Sequence, residues 1–167
     1  STDPSDMAAA RAVIAAAQRL MPDLEAGRRI DAARLRAAME TAFGGGSDAT
    51  GTWDWKTAYE ATEAATVLFL RKYGRALFRK AGSTAALLPL LARIVDLLPA
   101  QTRRSEEMQA WQQFSTPVPL GLAAVSAAAI TPADRVLEPS AGTGLLAILA
   151  EISGGQLMLN ELASLRA

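Results

Sequence analysis

Hydrophobic positions recur at amphipathic-helix spacing through most of the first hundred residues. The repeats predict four helices, over residues 5–20, 30–42, 54–81 and 83–98. We expect Pro22 to end the first helix and Pro99 to end the last, because proline has no backbone N–H to donate. Large apolar residues occupy so many positions of 83–98 that we expect this helix to be buried on most sides.

The pattern changes after residue 115. Thr116 is placed to cap a helix that has Pro117 in its first turn and runs to Ile130. Two short apolar runs that fit β-strands follow, and an apolar helix over 145–152 separates them. The predicted strands cover 135–138 and 156–160. The order of elements therefore predicts a mainly α N-terminal domain followed by a βαβ unit.

A glycine-rich stretch covers residues 44–51. Such stretches can hold phosphate, but a P-loop ends in Gly-Lys-Ser or Gly-Lys-Thr, and this one contains no lysine. We therefore interpret it as a flexible connection. Trp53 and Trp55 follow at a helix start, where we expect them to anchor packing rather than to stack on a ligand.

Composition excludes several kinds of chemistry. The chain has no histidine and no cysteine, so Ser-His-Asp triads, histidine-ligated metals and disulfides are ruled out. Its 17 basic and 17 acidic residues cancel, so net charge gives no argument for nucleic acid or membrane binding. No apolar run is long enough to cross a membrane, and no signal peptide is visible, so we expect a cytoplasmic protein.

Basic residues are concentrated in one part of the chain. Residues 71–104 contain eight lysines and arginines against one acid, Asp96. Two interpretations stay open: a solvated helix face, or a surface that contacts the phosphate backbone of DNA.

The loop over 139–144 and the acid Glu161 carry the clearest chemical signal. Gly142 and Gly144 let the backbone approach a ligand closely, and the N-terminus of the following helix offers free N–H groups. Glu161 ends the second strand, where a carboxylate can accept hydrogen bonds from two ribose hydroxyls. The combination indicates a nucleoside cofactor. The glycine loop of a dinucleotide-binding domain prefers glycine at the position of Ala147. Glu138 followed by proline also fits a dinucleotide-binding loop poorly.

Two motifs in this region resemble those of class I methyltransferases that use S-adenosylmethionine (SAM). Residues 136–144, Val-Leu-Glu-Pro-Ser-Ala-Gly-Thr-Gly, are similar to motif I in the form typical of amino-methyltransferases acting on DNA adenine. Residues 114–117, Phe-Ser-Thr-Pro, resemble motif X, which precedes motif I in one circular order of that family. The resemblance implies that the βαβ unit begins a Rossmann-like α/β fold that binds SAM.

The resemblance also implies roles for particular residues. Motif I and its acid would contact the methionine end of SAM, the Thr-Pro pair would lie by its carboxylate, and the acid after the second strand would hold the ribose. By position, the implied cofactor-binding residues are Phe114, Thr116, Pro117, Glu138, Ala141, Gly142, Gly144 and Glu161.

A wider resemblance covers the helical half. Residues 53–56, 59–61, 68–72 and 102–107 are similar to the N-terminal part of bacterial methylase/helicase fusion proteins related to strawberry notch. It implies that the chain is the N-terminal piece of a longer polypeptide that continues into further methyltransferase strands and a helicase. We accordingly expect a helical domain over 1–110 and the start of a methyltransferase domain over 111–167.

The catalytic loop of amino-methyltransferases, of the form Asp/Asn/Ser-Pro-Pro-Tyr/Phe, is missing. The chain has no Pro-Pro pair, so we assign no catalytic or metal-binding residue and expect this portion alone to be inactive. Two alternatives stay open. One is a helical module that binds DNA or a partner and carries a degenerate methyltransferase scaffold, and the other is a nucleotide domain of the NAD type.

Overall fold

A computed structural model describes residues 4–100 and 115–161, and this part of the chain is mainly helical. Its elements in chain order are α1 (Pro4–Glu25), α2 (Ala32–Ala42), α3 (Trp55–Ala81), α4 (Thr84–Asp96), α5 (Val118–Ala127), β1 (Arg135–Glu138), α6 (Leu145–Ile152) and β2 (Gln156–Leu159). The predicted helical half and the predicted strand–helix–strand order are both confirmed. None of the helices of the described residues is long and apolar enough to cross a bilayer.

Side-chain caps fix the starts of three helices. Asp31 accepts a hydrogen bond from the backbone N–H of residue 34 at 2.7 Å, which satisfies a donor in the first turn of α2. Asp54 does the same for α3, and Ser83 for α4. These caps explain why the predicted starts of α2, α3 and α4 lie within two residues of the observed ones.

Helices α1, α2 and α3 form the first core. The contact between α1 and α3 is lined by small side chains, and five alanines there are fully buried: Ala16, Ala17, Ala58, Ala61 and Ala65. Larger fully buried residues, Leu20, Ile30, Leu35 and Met39, fill the space around them. Alanine favours helix formation and also lets two helix backbones approach closely. The same residue type therefore stabilises the secondary structure and the packing of the two helices.

The prediction that Pro22 ends the first helix is wrong, because α1 continues to Glu25. Proline removes one helical hydrogen bond, but tertiary contacts hold this last turn in place. Leu24 is buried, and the Asp23 carboxylate accepts hydrogen bonds from Arg28 at 3.0 Å and Arg34 at 2.8 Å. Burial alone would raise the pKa of Asp23, but the two guanidinium groups outweigh it and hold that pKa below its usual value.

Helix α4 is also less buried than predicted. Among its residues, Leu87 and Leu91 are buried on one face, whereas Leu88 remains 43% exposed. The helix ends at Asp96 rather than at residue 98. The leucine-rich pattern therefore overestimates the burial of α4, because a helix that contacts its neighbours along one side can leave large apolar residues at the surface.

The segment before α5 differs from the expected cap. Pro117, rather than Thr116, is the residue that precedes the helix, and its carbonyl accepts the first helical bond from Gly121 at 3.0 Å. Thr116 lies one residue too early to cap, and no side chain of the described residues makes that bond. The helix ends at Ala127, because Ala129 adopts a positive φ of 50°, so the predicted end at Ile130 is wrong.

Strands β1 and β2 pair in parallel, with α6 as the crossover between them. Val136 pairs with Leu157, and both pack against the second core. The next pair, Leu137 and Met158, points the other way and is 66% and 49% exposed. The described sheet is thus covered by helices on one face and has apolar residues on the other.

The second core joins the helical half to the βαβ unit. Its buried residues come from α3, α4, α5 and α6: Leu70, Leu87, Leu91, Val118, Leu122, Val125, Leu145, Ile148, Leu149 and Ala150. Helix α3 meets α6 at Gly74, which is buried and faces Ile152. Side chains from both sides of the predicted boundary at residue 110 therefore share one packed interior.

Candidate functional site

The glycine loop over 139–144 connects the end of β1 to the start of α6. Gly142 and Gly144 have φ values of 54° and 89°, in the left-handed region where a side chain would be strained. The N–H of Gly144 donates to the Ala141 carbonyl at 2.8 Å, which closes the turn. Gly144 then precedes the first residue of α6, so the loop delivers the chain directly to the helix N-terminus.

Backbone hydrogen bonds tie this loop to the end of β2. The N–H of Ala141 donates to the Asn160 carbonyl at 2.9 Å, and the Asn160 side chain donates to the Pro139 carbonyl at 3.1 Å. A further bond joins the Asn160 N–H to the Glu138 carbonyl at 2.9 Å. These bonds continue the ladder between the strands and bring the residue after Asn160 to the loop.

That residue is Glu161, and its carboxylate accepts a hydrogen bond from the Gly142 N–H at 2.6 Å. The two therefore lie side by side, although 19 positions separate them in the sequence. A cavity of about 280 Å³ adjoins this contact, and loop, helix and strand all contribute to its walls. Its lining includes Ala141, Gly142, Thr143, Gly144, Ala147, Glu151, Asn160 and Glu161. We call it the glycine-loop cavity.

Glu138 has a different position from the other motif I residues. Its carboxylate accepts the backbone N–H of Ser140 at 3.0 Å, so it shapes the start of the loop. It is not among the described residues that line the glycine-loop cavity.

Thr116 and Pro117 line a second cavity, of about 430 Å³. We call it the Thr116 cavity. Charged groups of both signs border it, namely Arg29, Glu63 and Asp96, together with the threonines at 62 and 66 and the segment 115–118. Phe114, also predicted as a cofactor contact, lies outside the described residues. Of the sequence-predicted residues, Ala141, Gly142, Gly144 and Glu161 thus line the glycine-loop cavity, Thr116 and Pro117 line the Thr116 cavity, and Glu138 lines neither.

Glu63 of α3 links the two cavities, although it is not among the residues predicted from the sequence. The Ser115 hydroxyl and the Thr143 hydroxyl each donate to the same oxygen of Glu63, both at 2.7 Å. Glu63 is only 7% exposed and lines the Thr116 cavity, whereas Thr143 lines the glycine-loop cavity. A signal was present in the sequence, since Glu63 stands one helical turn before the apolar stripe that begins at Val67.

Ion pairs engage part of the basic stretch. Arg71 lines the glycine-loop cavity and donates to Glu151 at 3.1 Å. Lys72 and the Tyr73 hydroxyl both donate to the Glu25 carboxylate, which lowers the pKa of Glu25 and raises that of Lys72. The other basic residues of this stretch on α3 are exposed: Arg75, Arg79 and Lys80. Arg103 and Arg104 lie outside the described residues.

The glycine-rich stretch over 44–51 accepts hydrogen bonds from the two tryptophans that follow it. The indole N–H of Trp53 donates to the Gly46 carbonyl at 2.8 Å, and that of Trp55 donates to Asp48 at 3.0 Å. Trp53 is 4% exposed and belongs to the first core, which confirms its predicted role as a packing anchor. Across the described ranges, no group of three or more acidic side chains is arranged to hold a metal ion.

No protein-family model, no curated protein and no solved structure matches this chain.

Proposed function

We propose that this chain carries the cofactor-binding portion of a SAM-dependent methyltransferase of the DNA-adenine type, within a longer methylase/helicase polypeptide. The observation that carries the proposal is the meeting of Glu161 with the glycine loop at the N-terminus of α6. An acceptor for ribose hydroxyls and a set of backbone donors then border the same cavity.

The residues present fit such a cofactor. The Glu161 carboxylate can exchange its bond to Gly142 for bonds from the two hydroxyls of a ribose. Freed in this way, the Gly142 N–H becomes a donor toward the ligand. The glycine-loop cavity, at about 280 Å³, lies near the lower end of the range for small-molecule sites, roughly 300–1,000 Å³. The Thr116 cavity, of about 430 Å³, is lined by Glu63, which accepts the hydrogen bond of Thr143.

In this proposal the chain binds and orients the cofactor, and SAM supplies the electrophilic methyl group. Glu161 fixes the ribose, and the backbone of the glycine loop approaches the ligand closely at Gly142 and Gly144. Thr116 and Pro117 border the space available to the amino-acid end. We assign no general base and no base-stacking residue to these residues.

The sheet is consistent with continuation in a longer polypeptide. Leu137 and Met158 expose apolar side chains on the face away from α6, and a two-stranded parallel sheet is rarely stable by itself. Further strands and helices of a Rossmann-like fold would cover that face, which supports the fusion-protein interpretation.

A titration calorimetry experiment tests the proposal. SAM and its product S-adenosylhomocysteine are titrated into this chain and into a longer chain that supplies the further strands. Glu161→Ala should weaken binding by roughly 10- to 150-fold, the equivalent of a lost charged hydrogen bond of about 1.5–3 kcal/mol. Glu40→Ala, on α2 and away from both cavities, is the matched control and should bind like the wild type.

Four outcomes would count against the proposal. A folded longer chain that binds neither ligand refutes it, and tight binding of NADH in place of SAM would favour the dinucleotide class. If Glu161→Ala binds SAM normally, the ribose assignment is wrong. A salt-dependent shift on DNA without any SAM binding would favour the alternative of a DNA-binding helical module, for which exposed Arg75, Arg79 and Lys80 are the candidate contacts.

A further inference from the structure

A single carboxylate oxygen of Glu63 connects three separate parts of the chain. Ser115 and Thr143 belong to the segments that border the Thr116 cavity and the glycine-loop cavity, respectively. Both hydroxyls donate to this oxygen at 2.7 Å. The distance between the two segments therefore depends on a side chain that neither segment contains.

Helix α3 holds Glu63 in a fixed position relative to α6. The positions 63, 67, 71 and 74 share one face of α3, because their spacing follows the helical repeat. Along this face Glu63 contacts Thr143, Arg71 pairs with Glu151, and Gly74 lies against Ile152. Glu63 is thus the first contact of a continuous seam rather than a side chain on a flexible loop.

The charge and burial of Glu63 make these hydrogen bonds consequential. A carboxylate that is 7% exposed has lost most of its hydration, and hydrogen bonds from protein donors offset that loss. Removing Glu63 would leave the Ser115 and Thr143 hydroxyls without this acceptor. Both segments could then move with respect to each other.

The Thr116 cavity beside Glu63 has the polarity of a zwitterion site. Arg29 offers a cation, Asp96 and Glu63 offer carboxylates, and Thr116 offers a hydroxyl. The glycine-loop cavity on the other side of Thr143 contains Glu161, the acceptor proposed for ribose. A nucleoside that carries an α-amino acid group would therefore place its charged end on the side of Glu63.

We propose that Glu63 is a positioning residue, contributed by the helical half, that sets the affinity of the site for the amino-acid end of the cofactor. This inference rests on the proposed function, since it assumes that SAM or its product occupies the site. Glu63 acts through Thr143 and Ser115, by holding the glycine loop and the segment 115–117 at the separation that the ligand requires.

The test compares two ligands in the longer chain that supplies the further strands. S-adenosylhomocysteine has the amino-acid end, and 5′-methylthioadenosine shares the nucleoside and the sulfur but lacks that end. Glu63→Ala should raise the Kd for S-adenosylhomocysteine about tenfold or more and leave that for methylthioadenosine within about twofold. Glu63→Gln should recover most of the loss, because its amide oxygen still accepts both hydroxyls.

The matched control is Glu60→Ala, which removes a buried acid one turn earlier on the same helix. It should leave the ratio of the two dissociation constants unchanged. If Glu63→Ala does not fold, Thr143→Val replaces it, and it should give a smaller loss that is again confined to S-adenosylhomocysteine.

Equal weakening of both ligands by Glu63→Ala would overturn the inference, because a general loss of structure would cause that result. Normal binding by Glu63→Ala, or a Glu63→Gln variant as weak as the alanine, would overturn it too. If the wild-type longer chain is folded and binds neither ligand, the proposed function itself fails. That outcome is distinguishable because it appears before any variant is made.

Discussion

Alanine at position 74 would place a methyl group where Ile152 already lies. A Cβ built on Gly74 would come within van der Waals overlap of the Ile152 Cδ1 atom and within 3.1 Å of its Cγ1 atom. Two opposing terms decide the effect on stability. Replacing glycine by alanine inside a helix gains about 1 kcal/mol, whereas overfilling a packed contact costs about 1–3 kcal/mol. We expect Gly74→Ala to lower the free energy of unfolding by up to about 2 kcal/mol.

A second substitution separates these terms. Ile152→Val deletes Cδ1, the atom that the new methyl group would overlap most, and by itself should cost about 0.5–1.5 kcal/mol. In the double variant the worst overlap is gone, so its loss of stability should be smaller than the sum of the single losses by about 1 kcal/mol or more. Urea unfolding followed by circular dichroism measures all four corners of this cycle.

Ala76→Gly supplies the control for helix propensity. Residue 76 is exposed and two positions away on the same helix, so this change should cost about 1 kcal/mol with no contribution from packing. Two results would show that α3 does not dock on α6 at this point. One is that Gly74→Ala stabilises the protein by about 1 kcal/mol, and the other is that the effects of Gly74→Ala and Ile152→Val on the free energy of unfolding add within about 0.5 kcal/mol. The seam that places Glu63 beside the glycine loop would then be incorrect.

Three further predictions concern the described elements. Asp54→Ala removes the α3 cap and should cost about 0.5–2 kcal/mol in urea unfolding. The pKa of Asp23 is depressed in the folded protein, so its contribution to the free energy of unfolding is present at neutral pH and is lost as pH falls below about 4. Asp23→Asn should therefore flatten the acid side of a plot of the free energy of unfolding against pH. An unchanged slope would contradict this. Leu137→Thr should change stability by under about 0.5 kcal/mol here, because Leu137 is 66% exposed, but should destabilise a longer chain whose added elements cover it.

Local sequence signals determine much of this architecture. Asp31, Asp54 and Ser83 cap their helices through hydrogen bonds to residues three positions away, and such short-range chemistry is readable without knowing the fold. The βαβ order was predictable for the same reason. Pro139 to Gly144 contains residues that demand a turn, and the flanking apolar runs are too short for anything but strands or a short helix.

The parts that sequence reasoning missed depend on distant contacts. Pro22 remains inside α1 because Arg28 and Arg34 hold the adjacent Asp23, and those partners are not implied by the helix itself. Glu63 was overlooked because its donors, Ser115 and Thr143, lie 52 and 80 positions away. A buried acid at the end of an apolar stripe marks such a position, but its partners become known only when the helices are docked.

The alanine-lined contact between α1 and α3 gives this interface an unusual mutational profile. At Ala16 and Ala61, both with no exposed surface, every substitution other than glycine adds atoms to a space that is already full. A comprehensive substitution scan should therefore find these positions intolerant of larger residues, while Leu35 and Met39 accept truncation at a graded cost. Over evolutionary time, this interface would change slowest at its smallest residues.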